Sequence, residues 1–327
     1  MFMKKLCLSI MILLMPLIAF AAKFVELNGI YYNLADQIGT AEVVNSPNKY
    51  KGSITIPESV TYGGKTYSVT RIGYTAFSGC KELTSIVLPN CIEVFEDYAF
   101  QFCTKLTSFT FPNSLKKIGN YAFQNCTHLK SIDIPNSVES IGVNSFCGCW
   151  DLNTVRLSNS LLLIDTNTFS NCKKLSSITI PNSVKKINYS AFFGCNKLTK
   201  VVIGENVSEI ENHAFANCSD LTDVYCYVKN VYIGKYTFEN SYIEYATLHV
   251  PSGSLDFYQN AYNWSDFGKI VALTDNDPKP TAITTITLAD DNDIKCYTID
   301  GKPISKPQKG INILKYGNGT IKKFVIR

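Results

Sequence analysis

The sequence predicts a β-rich repeat solenoid, and three columns of residues predict it. Phenylalanines stand 23 residues apart at Phe77, Phe100, Phe123, Phe146, Phe169, Phe192, Phe215 and Phe238, without a slip. A cysteine follows three residues after each of the first seven: Cys80, Cys103, Cys126, Cys149, Cys172, Cys195 and Cys218. A leucine follows three residues after that, from Leu83 to Leu221. A fixed period in this range means stacked coils, each burying its apolar face only against its neighbours.

The elements follow in chain order. Lys4 and Lys5, the apolar run over residues 6–20 and Ala19-Phe20-Ala21 read as a secretory signal over residues 1–21, cleaved after Ala21. No other stretch is apolar enough to span a bilayer. The protein is therefore expected outside the cell or on its outer surface. The formal charge of +4 falls to about +2 once Lys4 and Lys5 are removed, which gives no reason to expect nucleic acid or an anionic membrane as partner. Residues 22–53 do not follow the repeat and carry strand-like runs; they are expected to form an N-terminal β cap. The repeats begin at residue 54, and Gly63-Gly64 predicts a hairpin over residues 61–67.

One coil, residues 113–135, shows the design. Leu115 and Ile118 alternate with polar neighbours, as in a short strand. Gly119-Asn120 breaks it. Residues 121–126 are too few for a helix and predict a helical turn that drops Phe123 and Cys126 inward. Leu129, Ile132 and Ile134 form a second strand, which Pro135 ends. The position before the cysteine is Gly79, Phe102, Asn125, Gly148, Asn171, Gly194 and Asn217. Gly and Asn tolerate positive φ, so a left-handed residue is expected there, with a local distortion at Phe102. The recurrent Pro-Asn-Ser marks the corner between strands. A cysteine at one fixed slot per coil reads as a small buried hydrophobe rather than half of a disulfide.

These residues resemble the BspA-type leucine-rich repeat, as in IGNYAFQNCTHLKSIDIPNSV over residues 118–138, and the likeness covers about residues 54–251. The resemblance implies a right-handed leucine-rich-repeat coil with a parallel sheet on one face. It also implies a cell-surface protein of the adhesin kind, with a host matrix protein among its possible ligands.

Residues 252–273 leave the repeat as a C-terminal cap. Ser254 is placed to N-cap a short helix through Tyr262, and Trp264 and Phe267 to cover the last coil. Residues 274–282 are a polar, proline-bearing linker. Residues 283–327 read as a small β-domain. CYTIDGKPI and KGINILKYGNGTIKKFVIR, through Tyr297, Gly301, Gly310, Ile311 and Lys322, resemble the C-terminal sorting domain of the type IX secretion system in Bacteroidota.

No catalytic, cofactor or metal motif stands out. His128, His213 and His249 have no evident nucleophile or carboxylate partner in the sequence, and Asp290-Asp291-Asn292-Asp293 lacks calcium-loop spacing. The expected activity is binding, not catalysis, by a protein or glycan ligand on columns that face solvent. These columns are Ser85/Val87, Ser108/Thr110, Ser131/Asp133, Thr154/Arg156, Ser177/Thr179, Lys200/Val202 and Asp223/Tyr225. Arg156 and Tyr225 depart from the Ser/Thr pattern. Trp150, Leu162 and Leu163 replace polar residues in adjacent coils and are the candidate contact patch. A structural spacer or assembly scaffold without a soluble ligand is the alternative. The sequence does not specify an oligomeric state.

Overall fold

The computed structural model describes residues 23–280 and the strands Lys295–Thr298, Pro303–Ile304, Gly310–Lys315 and Ile321–Ile326. The expected leader and Asp290–Asp293 lie outside the described residues. The chain divides into two units, Met1–Thr281 and Ala282–Arg327. The second unit contributes an antiparallel sheet in which Lys295–Thr298 pairs with both Pro303–Ile304 and Gly310–Lys315, and the last of these with Ile321–Ile326.

In the first unit most coils run through two short strands on two parallel sheets. Sheet A takes Lys65–Ile72, Val94–Phe95, Lys117–Ile118 and Ser140–Ile141, and resumes with Leu163–Ile164, Lys186–Ile187 and Glu209–Ile210. Sheet B pairs Gly52–Thr55 with Leu83–Val87 and Ser131–Asp133 with Thr154–Arg156. It then runs without a break from Ser177–Ile180 through Lys200–Ile203, Asp223–Cys226 and Thr247–Val250 to Lys269–Ala272. Among the regular coils each pairing joins residues 23 apart, so side chains of like position stand over one another. Sheet B is interrupted at residues 107–111. There Phe109 and Phe111 stand where the next coil has Ile132 and Ile134. The two rings sit 4.8 Å apart and crowd against Phe95, Phe100 and Phe123. Their bulk fills the space in which a strand would close up.

The third side of the coil is turn, and it carries a backbone ladder of its own. Tyr121, Phe123 and Asn125 donate their N–H groups to Val143, Ser145 and Cys147 of the next coil at 2.7–2.9 Å. Gln124 and Cys126 instead close tight turns back to Tyr121 and Phe123. Alternate N–H groups point to the neighbour because the residues at both ends of this segment are left-handed. The expected column is left-handed in all seven coils, and Phe102 joins it at φ 59 rather than distorting the turn. The strain of a bulky residue in that region is borne, not avoided. A second left-handed column was not legible in the sequence: Thr75, Tyr98, Tyr121, Asn144, Asn167, Ser190 and His213.

The Phe rings form one stack, with centroids 5.0–5.6 Å apart and planes within 15°. Such pairs contribute about 0.5–1.5 kcal/mol each beyond burial alone. The cysteines do more than fill space. Each Phe carbonyl accepts the Cys N–H three residues on, and its second lone pair faces the next coil. Cys103 Sγ donates to Phe77 O, Cys126 to Phe100 and Cys149 to Phe123, at 3.1–3.2 Å. Cys172, Cys195 and Cys218 continue at 3.3–3.4 Å. In the coil that lacks the cysteine, Ser241 Oγ makes the same bond to Phe215 O at 2.7 Å. The slot therefore selects a small residue with a donor, and the cysteines from Cys80 to Cys226 are all free thiols.

Side chains also fit between coils. Asn125 and Asn171 lie over Gly148 and Gly194, where a Cβ would collide with the amide oxygen. One column away, Asp97, Asn120 and Asn212 overhang Gly119, Gly142 and Gly234. Where the overhanging residue is instead Val143, Thr166 or Tyr189, the next coil carries Asp165, Asn188 or Glu211.

Both ends are closed. At the N-terminus Lys23–Leu27, Ile30–Ala35 and Thr40–Val43 add to sheet A, and Tyr50 covers Phe77 at 4.8 Å. The hairpin at Gly63-Gly64 joins Ser59–Tyr62 to Lys65–Ile72. At the C-terminus buried Trp264 and Phe267 pack on Phe238, and the indole N–H donates to Val231 O at 2.8 Å. The helix there is shorter than expected. It spans Leu255–Asn260, and Ser254 holds the N-cap position without a side-chain capping bond. Asn263 in the left-handed region (φ 63) turns the chain before it reaches Trp264.

Two predictions follow from this packing. Gly148→Ala, at φ 73 beneath Asn125, lowers stability by about 2–3 kcal/mol in urea unfolding, of which about 1–2 kcal/mol is the left-handed backbone alone. In an Asn125→Gly background only the backbone part remains, and additivity of the two changes contradicts the fit. Burial pushes the thiols of Cys103, Cys149, Cys172, Cys195 and Cys218 up from their ordinary 9.0, Cys218 to about 12. Their contribution is complete below the unfolded thiol value and is lost as pH rises towards the folded one. The urea midpoint therefore falls above about pH 9, and Cys218→Ser reduces the slope. A midpoint that stays level to about pH 11 contradicts it.

Candidate interaction surface

The outer face of sheet B is exposed over its first coils, with Val87, Ser108, Thr110, Ser131 and Asp133 in solvent. It closes towards the C-terminus. Val202 and Tyr225, both expected to face solvent, are 2% and 9% exposed. Val202 and Tyr225 are paired neighbours on adjacent strands. The Tyr225 ring stacks on His249 at 4.2 Å, and the linker passes nearby. Lys279 places its ammonium 5.5 Å from the Tyr227 ring. Burial raises the Tyr225 hydroxyl above its ordinary pKa, and the carboxylates of Asp223 and Asp277 raise it further. Tyr225 is thus a packed residue, not an open contact.

Two histidines also depart from expectation, because their carboxylate partners arrive from neighbouring coils. His249 Nε2 lies 3.0 Å from Asp223 Oδ1, and His213 Nε2 lies 3.3 Å from Glu239 Oε2. Both pairs are 26 residues apart in the chain, a distance only the coil closes. His128 is exposed and meets Thr127 Oγ1 at 3.1 Å. Among the described residues no group of three or more His, Cys, Asp or Glu is placed to hold a metal ion, and no helix is long and apolar enough to cross a membrane.

Part of the surface charge is paired from coil to coil. Arg71 and Lys117 both meet Glu96, Lys116 meets Glu93, and Lys105 meets Glu82. Lys186 meets Glu209 and Glu211, and Lys197 meets Asp220. Arg156 is half-exposed and ion-paired with Asp133 of the preceding coil. The guanidinium therefore helps hold register and offers little free charge. Exposed pairs of this kind contribute at most about 1 kcal/mol each.

Trp150, Leu162 and Leu163 are exposed at 49%, 62% and 37%. They do not make one patch. Leu162 lies twelve residues beyond Trp150 in a coil of 23, so the two stand on opposite sides of the solenoid. Leu162 and Leu163 lead into sheet A, next to the coil of Lys185 and Lys186. Trp150 stands at the corner between the turn side and sheet B, with the Lys173 ammonium 5.0 Å from its ring. Exposed aromatics gather again around the terminal coil and its cap: Tyr232, Tyr236, Tyr242, Tyr245 and Tyr262. Tyr236 shares its column with Tyr98 and Tyr121, and Tyr242 shares the column of Trp150, a signal the sequence did carry; Tyr262 lies in the cap, beyond the repeat.

Comparison with known proteins places this architecture. The family model described as the BspA type Leucine rich repeat region matches residues 53–173 and 139–267, with six copies. A leucine-rich repeat protein from Bacteroides ovatus is 25% identical, with a TM-score of 0.50, over 76% of this chain and 76% of that one. The T. pallidum leucine-rich repeat protein TpLRR is 22% identical, with a TM-score of 0.43, over 61% of this chain and 91% of that one. A leucine rich cell surface protein from Faecalibacterium prausnitzii is 17% identical, with a TM-score of 0.26, over 78% and 96%. No curated protein matches the chain.

Proposed function

We infer, from a chain that belongs to the BspA-type leucine-rich-repeat family, a secreted or surface-displayed binding protein of the adhesin kind. Its ligand is a protein or glycan of a host or bacterial surface, a host matrix protein among them. The observation that carries this reading is the separation of two sets of columns. Phe, Cys and Leu columns are buried and hold their residue type, whereas the outward columns change from coil to coil at no cost to the stack. Eight coils at about 4.8 Å each give a face about 40 Å long, enough for a standard interface. The leader read at residues 1–21 supports display outside the cell. The likeness of residues 283–327 to a sorting domain supports a role for that unit in export rather than in binding.

Exposed Leu162 and Leu163 favour the second reading, a scaffold that assembles with copies of itself. The test is saturable binding of the full chain to immobilised matrix proteins and to bacterial cells, with sedimentation run beside it. The adhesin reading expects saturable binding by a chain that stays monomeric. No binding, together with self-association that Leu162→Ser/Leu163→Ser abolishes, selects the scaffold.

A further inference from the structure

The corner around Trp150 brings an exposed indole together with lysines from the coils on either side. Three coils contribute the same three positions to it: Thr127, His128 and Lys130, then Trp150, Asp151 and Asn153, then Lys173, Lys174 and Ser176. Cross-coil backbone bonds fix this grid. Asp151 N–H donates to Thr127 O at 3.1 Å and Asn153 to Lys130 O at 2.9 Å. Lys174 N–H donates to Trp150 O at 3.2 Å. Its cells are therefore neighbours at the spacing of a sheet, about 5 Å.

On other coils several lysines have a carboxylate partner one coil away, as in Lys105 with Glu82, Lys116 with Glu93 and Lys197 with Asp220. Here Asp151 is the one carboxylate of the grid, and Lys174 takes it at 2.6 Å. The bond from Lys174, with His128 and Lys130 adding their charge, holds the Asp151 carboxyl below the usual carboxylate range. Lys130 and Lys173 meet no carboxylate among the described residues within ion-pair reach. Lys130 also stands in a column that is otherwise Thr, Ser or Asn, at Thr84, Thr107, Asn153, Ser176, Thr199 and Thr222. The corner thus carries surplus positive charge beside the one exposed tryptophan of the described residues. Thr127, Asn153 and Ser176 add hydroxyl and amide groups.

We propose that this corner is a binding subsite for an anionic saccharide, a chain of sugar rings bearing carboxylate or sulfate groups. The reading rests on the surface-binding function above and names its ligand class. An indole with half its surface open is a flat apolar platform that matches the C–H face of a pyranose ring. Lys130 and Lys173, on the coils to either side of it, match acidic substituents along the chain. The hydroxyl and amide side chains match the sugar hydroxyls. A set of contacts spread over three coils suits an extended polymer rather than an enclosed small molecule.

The experiment is titration of the full chain with heparin oligosaccharides (sulfated) and oligogalacturonate (carboxylated). Malto-oligosaccharide serves as the neutral control and polyglutamate as the acidic peptide. The expected result is saturable binding to at least one anionic saccharide, weaker at high salt, with none to the neutral one. Trp150→Ala weakens it by about tenfold or more without changing the unfolding midpoint, since the residue lies outside the core. Lys130→Gln/Lys173→Gln weakens binding and flattens its salt dependence, while Lys116→Gln/Lys117→Gln, whose charges are already paired, leaves it unchanged. The proposal is overturned by no saturable binding to either saccharide, by equal binding of polyglutamate, or by binding that Trp150→Ala leaves intact. If saccharides fail while matrix proteins or cells are still bound, the surface-binding function stands and only this subsite falls.

Discussion

The whole molecule depends on one constraint: each coil must present to the next the same outline that it received. The 23-residue period is the form this takes in sequence. Both strands and the turn side bond their backbones to the neighbouring coils, sheet A donating its N–H groups to the coil before and the turn side to the coil after, so most backbone bonds of the solenoid run along its axis. The Phe stack, the thiol-to-carbonyl ladder and the Asn-over-Gly fits all act across the same gap. A coil lengthened or shortened by one residue would unpair all of them together. Buried backbone groups left without partners are costly, which makes the period rigid rather than statistical.

Much of this was legible because it repeats. Phe and Cys at fixed spacing specify a buried ladder, and Gly or Asn before the cysteine specifies a left-handed turn. What escaped had no repeated residue type to mark it. The second left-handed column contains Thr, Tyr, Asn, Ser and His, since the conformation is imposed by the cross-coil bonds and not by side-chain preference. Phe102 shows the same at a single site. The cysteine column reads in sequence as packing, because a thiol is a weak donor; the bond it makes to the Phe carbonyl has its counterpart in Ser241, which replaces it in the same geometry.

The candidate site was less legible than the core, for a physical reason. Burial follows from period, whereas exposure depends on what else covers the surface. Tyr225 occupies an outward position yet is packed against His249 with the linker close by. His213 and His249 looked unpartnered because their carboxylates stand 26 residues away. The separation of Trp150 from Leu162 was available from counting alone, as half a period places two residues on opposite sides. The function proposed here uses what the constraint leaves free. The ladders take up the core, so an exposed indole is a departure that the stack does not require.

The central claim is that coils are interchangeable units whose length is fixed by their cross-coil bonds. The direct measurement compares two deletions by urea unfolding and circular dichroism. One removes residues 159–181, a whole period that rejoins Ser158 to Asn182 at equivalent corners; the other removes residues 160–181, one residue fewer. The account predicts that the first folds cooperatively with a native-like spectrum and that the second loses the cooperative transition or is severely destabilised. Equal tolerance of both deletions, or collapse of the first, would contradict it.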